Sequence, residues 1–254
     1  MNRDRFAEVV REEPVDVAVA CLLMGGEVQP DLDVDEGLEA LDRLAASVRL
    51  TDRSPYAVAA ALEEALGRQA GFAGSAEDYG DVRSSLLHEV LRRGRGLPIL
   101  LSVVWCEVAA RLGVPAVPLG LPGHVLVCLG DPEDVHVVVD PFAGGRRVES
   151  PADPVLAPVD LLLRVLTNIR ALTERQARSL ETARTRLWAT ELSLLLPHHP
   201  LALRRERGEL YVRLGDFEGG ARELERYADL IADVDEVQAE ASRRRARQSR
   251  ARLS

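Results

Sequence analysis

From residue 4 to about residue 112, apolar positions recur at the spacing of helices with one buried face. The stretch FAEVVREEPVDVAVACLLMGG predicts a short helix, a break at Pro14, and an apolar helix stopped by Gly25 and Gly26. In DVDEGLEALDRLAASVR, Leu38, Leu41, Leu44 and Val48 fall on one face. SPYAVAAALEEALGRQAGF opens with Ser54 as N-cap and Pro55 at the first helical position, and ends near Gly67 or Gly71. AGSAEDYGDVRS is a loop by composition. SLLHEVLRRGRG reads as a short helix closed by glycine, and PILLSVVWCEVAARLG as a strongly apolar helix with proline at its head.

The period then changes. VPAVPLG, HVLVCLG and VHVVVDPF are short, valine-rich and bounded by Pro, Gly and Asp, which predicts strands over 116–120, 124–129 and 135–140. The turn GDPED between the last two implies an antiparallel hairpin. A Gly/Pro-rich connector follows, and from VDLLLRVLTNIRAL onward the pattern is helical again. In that last third, a helix, a proline-marked turn, a helix with G-x-x-Y-x-x-L-G and a helix with the small residue Ala221 have the form of a tetratricopeptide-type repeat. About one and a half copies are present where a free solenoid needs roughly three, so the helices are expected to pack on the preceding domain. The terminal ASRRRARQSRARLS reads as a solvated helix end; an anionic partner is the alternative, without the aromatic residues that single-strand stacking would need.

Composition narrows the function classes. The chain has 254 residues, 46% hydrophobic and 29% charged, with a net charge of −9 that argues against nucleic acid or an anionic membrane as the main partner. All 32 basic residues are arginine, which excludes a lysine Schiff base and a Walker-type lysine. Cys21, Cys106 and Cys128 lie far apart in apolar surroundings, so neither a disulfide framework nor a zinc ribbon is expected. His88, His136, His198 and His199 show no ligand spacing with carboxylates, and neither metal nor cofactor is expected. The N-terminus lacks the apolar core of a signal peptide and no run reaches the ~20 apolar residues of a membrane span. A reducing cytoplasm is the simplest home.

One pair of residues points to chemistry. His124 opens one apolar run and Asp140 closes the next, the placement of the two supporting members of a catalytic triad. Taken alone, a His after Pro-Gly and an Asp before Pro are more readily turn residues. In order along the chain, GFAGSAEDYGDVRSSLLHEVLRRGRGLPILL, ARLGVPAV, LPGHVLV, VVVDPF and a late RRERGELYVRLGDF resemble the bacterial SirB-type transglutaminase-like proteins with C-terminal tetratricopeptide-like helices. In active transglutaminase-like enzymes, the resemblance implies, a Cys opens the central helix, a His on the following strand activates it and an Asp on the next strand orients the His. His124 and Asp140 match the last two. The nucleophile position falls on Pro98, Ile99 and Leu100, which have no nucleophilic atom. Cys106 is the fallback, roughly 12 Å further along the helix axis at ~1.5 Å per residue. Ser102 has no helix-terminus activation, and Cys128 lies about 13 Å from His124 on one strand.

These readings predict an α+β protein: a mainly helical, papain-like transglutaminase core over 1–155 with a small antiparallel sheet, tetratricopeptide-like helices over 156–232, and an arginine-rich helix or tail over 233–254. The leading functional expectation is a non-catalytic protein- or peptide-binding module with a regulatory or scaffolding role, in which His124 and Asp140 are vestigial. The alternative is a cysteine or serine hydrolase, or an acyl transferase, with an unexpected nucleophile. A regulator of transcription acting through partners is a weaker third. No motif specifies an oligomeric state.

Overall fold

Two aspartates start helices by the same local chemistry. The Asp16 and Asp33 carboxylates accept the backbone N–H of Val19 and Asp35, each at 2.9 Å, satisfying donors that a first helical turn leaves open. The computed structural model of the chain describes residues 2–149 and 154–252. Its first helices are α1 (Asn2–Val9), α2 (Val17–Gly25) and α3 (Val34–Ser47). On α3 the buried stripe is Val34, Gly37, Leu41 and Ala45, while Leu38 and Leu44 are half-buried flanks. Leu41 and Val48 of the expected face are buried, and the stripe also takes in Gly37, which lies against Leu22 of α2.

Ser54 caps α4 (Pro55–Leu62) through Ala57 N–H, and the helix runs on as a π-helical segment, Glu63–Gln69. Two short 3₁₀ turns, Ala76–Gly80 and Val82–Ser85, occupy the loop read from composition. Helix α5 (Leu87–Arg93) ends at Gly94 in the left-handed conformation, φ 66°. Helix α6 (Pro98–Arg111) is apolar nearly all round, and ten of its side chains are buried, Trp105 completely. Such a helix can only be central.

Helix α6 lies against an antiparallel sheet of order β1-β2-β3-β4, made of β1 (Ala116–Leu121), β2 (His124–Gly130), β3 (His136–Asp140) and β4 (Arg146–Arg147). The first three coincide with the valine-rich runs. The two-residue β4 gave no sequence signal. The β1–β2 turn is Pro122 and Gly123, whose φ of 73° suits glycine. On the open side of β1, residues 154–156 add backbone bonds, Gly120 N–H to Pro154 and Leu156 N–H to Pro118, both 2.9 Å.

The helices that follow are α7 (Pro158–Arg175), α8 (Leu180–Ser193), α9 (Ala202–Leu214), α10 (Phe217–Ile231) and α11 (Glu236–Arg250). The protein is therefore mostly helical with one small sheet. The chain divides into two compact units, Met1–Val165 and Leu166–Ser254, and the division falls inside α7. In the second unit, α8–α9, α9–α10 and α10–α11 pack as consecutive pairs. The small residues that let α9 and α10 approach are Gly208 and Gly220: a Cβ added to Gly220 would stand 2.8 Å from the Gly208 carbonyl oxygen. Glu223, 5% exposed, is bridged by Arg207 across the α9–α10 contact. Among the described residues no helix is long and apolar enough to cross a membrane.

Candidate functional site

His124 and Asp140 meet. The register of β2 and β3 brings the start of one strand beside the end of the other, and His124 Nε2 lies 3.0 Å from Asp140 Oδ1. The same oxygen accepts the backbone N–H groups of Phe142, at 2.9 Å, and Ala143, at 3.4 Å, so the carboxylate is held by the 3₁₀ turn that begins at Pro141. A carboxylate at Nε2 keeps the proton on that nitrogen and leaves Nδ1 with its lone pair. Among the described residues, no hydrogen bond engages Nδ1. The imidazole side chain is 28% exposed, which makes it an oriented, accessible acceptor.

Three residues that sequence reasoning missed build the surroundings. Phe142 stands edge-on to the His124 ring, centroids 5.8 Å apart, and Tyr79 leans on Phe142 at 5.9 Å. The Tyr79 hydroxyl donates to the Gly123 carbonyl at 3.4 Å. Burial raises the Tyr79 pKa, the Asp140 carboxylate adds to the rise, and the Arg164 guanidinium opposes it. Arg164, from α7, donates to the carbonyls of Leu121 and of His124, the latter at 2.9 Å, and so fixes the turn that presents the imidazole. Its only sequence signal was a charge inside the apolar run VDLLLRVL.

Tyr79 is itself held by a buried ionic cluster. Asp78, 1% exposed, accepts from Ser84 Oγ at 2.8 Å, Arg95 Nε at 3.0 Å and the Ser75 backbone N–H at 2.8 Å. Burial alone pushes its carboxyl pKa up; the Arg95 and Ser84 bonds outweigh burial and hold it below the usual carboxylate range.

The expected nucleophile stretch heads α6. Pro98, Ile99 and Leu100 are all buried and offer carbon atoms only. Ser102 is fully buried, and its hydroxyl donates to the Ile99 carbonyl at 2.7 Å. Cys106 is partly buried; loss of solvent pushes its thiol pKa far up, and Glu107 adds to the rise. Burial raises Cys128 likewise, with Asp131 contributing, and raises Cys21 further still. Thiols in such settings stay protonated at neutral pH and are poor nucleophiles. Among the described residues, no three of His, Cys, Asp and Glu are grouped to hold a metal ion.

Residues 35–152 match the transglutaminase-like superfamily, and residues 171–253 match the tetratricopeptide repeat. A UPF0162 protein of Xylella fastidiosa is 32% identical over 254 aligned positions, covering 90% of this chain and 88% of its own. A UPF0162 protein of Pseudomonas aeruginosa is 33% identical over 156 positions, 59% of this chain and 54% of its own. F-box only protein 21 of Mus musculus shares 33% identity over 96 positions, 35% of this chain and 15% of the mouse protein. A transglutaminase-like domain joined to tetratricopeptide helices, and 32% identity along nine-tenths of the chain to a relative covered over 88% of its own length, place the chain in the UPF0162 family.

Proposed function

We propose that this protein is a binding module on a transglutaminase-like scaffold, of the SirB type, in which the ancestral Cys-His-Asp triad is reduced to His124 and Asp140. The observation that carries the reading is the head of α6: Pro98, Ile99 and Leu100 fill the nucleophile position with buried carbon. Acyl transfer through the protein needs an attacking atom within ~3 Å of the base. The raised thiol pKa of Cys106 and the bond of the Ser102 hydroxyl to its own helix leave neither activated as a nucleophile, which supports the reading. His124 then acts as a hydrogen-bond acceptor for the N–H of a bound peptide segment, beside the Tyr79 and Phe142 rings. The tetratricopeptide-type helices supply further protein contacts, and the role is regulatory or scaffolding in the cytoplasm. No nucleic acid or cofactor enters this reading. The mouse relative, named as an F-box protein, shares only a minor part of its length with this chain, which supports a domain reusable inside other proteins.

The rival is a cysteine or serine hydrolase or acyl transferase with Cys106 as nucleophile. Thiol- and serine-reactive electrophile probes separate the two. The expected result is no labelling that depends on His124, with wild type and His124→Ala labelled equally. Stoichiometric labelling of Cys106 or Ser102 that disappears in His124→Ala would falsify the binding reading.

A further inference from the structure

Helix α11 is charged in two halves. Its buried side is Ala239, Ser242, Ala246 and Ser249, and Ser249 Oγ donates to the Phe217 carbonyl at 2.8 Å. On its flanks, Arg243, Arg245 and Arg250 turn back to Asp229 of α10, Glu209 of α9, and Glu218 and Glu225 of α10. Those arginines are spent inside the unit. The outward side tells a different story, since its exposed residues are Glu236, Val237 and Glu240 in the first half and Arg244, Arg247 and Gln248 in the second. Arg247 bonds Glu240 at 2.7 Å along the helix. Among the described residues, Arg244 and Glu236 make no hydrogen bond or ion pair.

A stripe that is acidic at one end and basic at the other is complementary to itself when reversed. A two-fold axis brings one surface against its own copy, so self-complementarity is the condition an isologous interface must meet. We propose that the outer face of α11 is a self-association surface, occupied by α11 of a second copy of this chain running antiparallel about an axis that crosses the outer face at the level of residue 242. In that register Glu240 faces the partner's Arg244, Glu236 faces the partner's Gln248, and Val237 lies on the aliphatic stem of the partner's Arg247. Ala241, a small side chain near the axis, leaves room for the helices to approach. The apolar contribution is local. Val234 and Val237, 89% and 83% exposed, flank the start of the helix and lose water in the pair. One exposed face of a 15-residue helix makes a small and mostly charged contact, so the association is weak and screened by salt.

Sedimentation velocity of the full chain over a range of concentrations, at low and high salt, tests this. At low salt the wild type moves to the mass of two chains as concentration rises, and high salt shifts it back toward one. Glu240→Arg and Arg244→Glu, both exposed changes, each set like charges against one another and weaken the dimer by at least about tenfold. Mixed one to one, the two variants regain the heavier species, because every reversed charge then meets its opposite; circular dichroism confirms that each is folded. A wild type that stays monomeric throughout, a dimer indifferent to both substitutions, or a mixture that stays monomeric overturns the proposal.

Discussion

At the scale of single residues, the site rests on two carboxylates with different neighbours. Asp140 is part of the exposed arrangement and receives His124 and two backbone amides. Asp78 is out of sight and acts through position alone, because the loop it anchors carries Tyr79 beside Phe142. Asp78→Asn puts a donor amide among donors, and it should destabilise the fold by about 2 to 3 kcal/mol, the range for a buried bond to a charged group. Urea denaturation measures it. The pH dependence has a definite sign. The folded-state pKa of Asp78 lies below its unfolded value, so its stabilisation is present above that value, ~3.9, and is lost as pH falls through the folded one. Wild type and Asp78→Asn should therefore converge in stability below pH ~4; a gap unchanged between pH 7 and 3 would rule out this role. His124 and Asp140 were legible in the sequence because strand ends and a family pattern mark them. Asp78 was not: its partners Ser75, Ser84 and Arg95 become neighbours only when two 3₁₀ turns fold the loop back.

At the scale of elements, the helices and three of four strands follow from local rules, and the departures are places where two elements touch. Gly67 is the clearest. Of the two glycines that could stop the helix, Gly71 is the one near its end; the π-helical segment continues through Gly67 to Gln69. The reason is the turn after Asp140. A Cβ at Gly67 would fall into the Gly144 carbonyl oxygen, a backbone atom that cannot give way. The glycine therefore allows the turn carrying Phe142 to close against the segment. Gly67→Ala should cost about 1 to 3 kcal/mol, as overpacking does, although alanine is the better helix former in open surroundings. Gly80→Ala is the control, since nothing lies within 4 Å of its added Cβ, and it should be near neutral. Thermal melts of both variants test the contact; equal behaviour would return Gly67 to a simple helix terminator. The same logic explains why Ala221 drew attention in the repeat while Gly208 and Gly220 make its closest approach. Sequence period marks a helix face, and only the partner helix marks which position on it must be smallest.

At the scale of the whole chain, a net charge of −9 conceals a division. Residues 1–165 contain 27 acidic and 15 basic side chains, whereas residues 166–254 contain 14 and 17. The overall value was readable at once and argued against nucleic acid; the division became meaningful only with the boundary of the units. That boundary also decides where the chain can be cut. A Gly/Pro-rich connector draws the eye to residue 155, yet the first unit extends to Val165 and includes the opening turns of α7. Ending the chain at 155 removes the Leu156 N–H bond to Pro118, which covers the free edge of β1. It also removes Arg164, which ties the Leu121 and His124 carbonyls at the turn presenting the imidazole. Unsatisfied strand edges invite association, and a loosened turn lets the imidazole drift from Asp140. A fragment of residues 1–155 should therefore melt lower and aggregate more than one of residues 1–176, which keeps α7 whole. In the longer fragment, the His124 ring should retain its hydrogen bond to Asp140, visible by nitrogen NMR as a protonated Nε2 and an unprotonated Nδ1. If both fragments melt alike and share that signature, α7 contributes nothing to the site, and Arg164 is only a surface arginine.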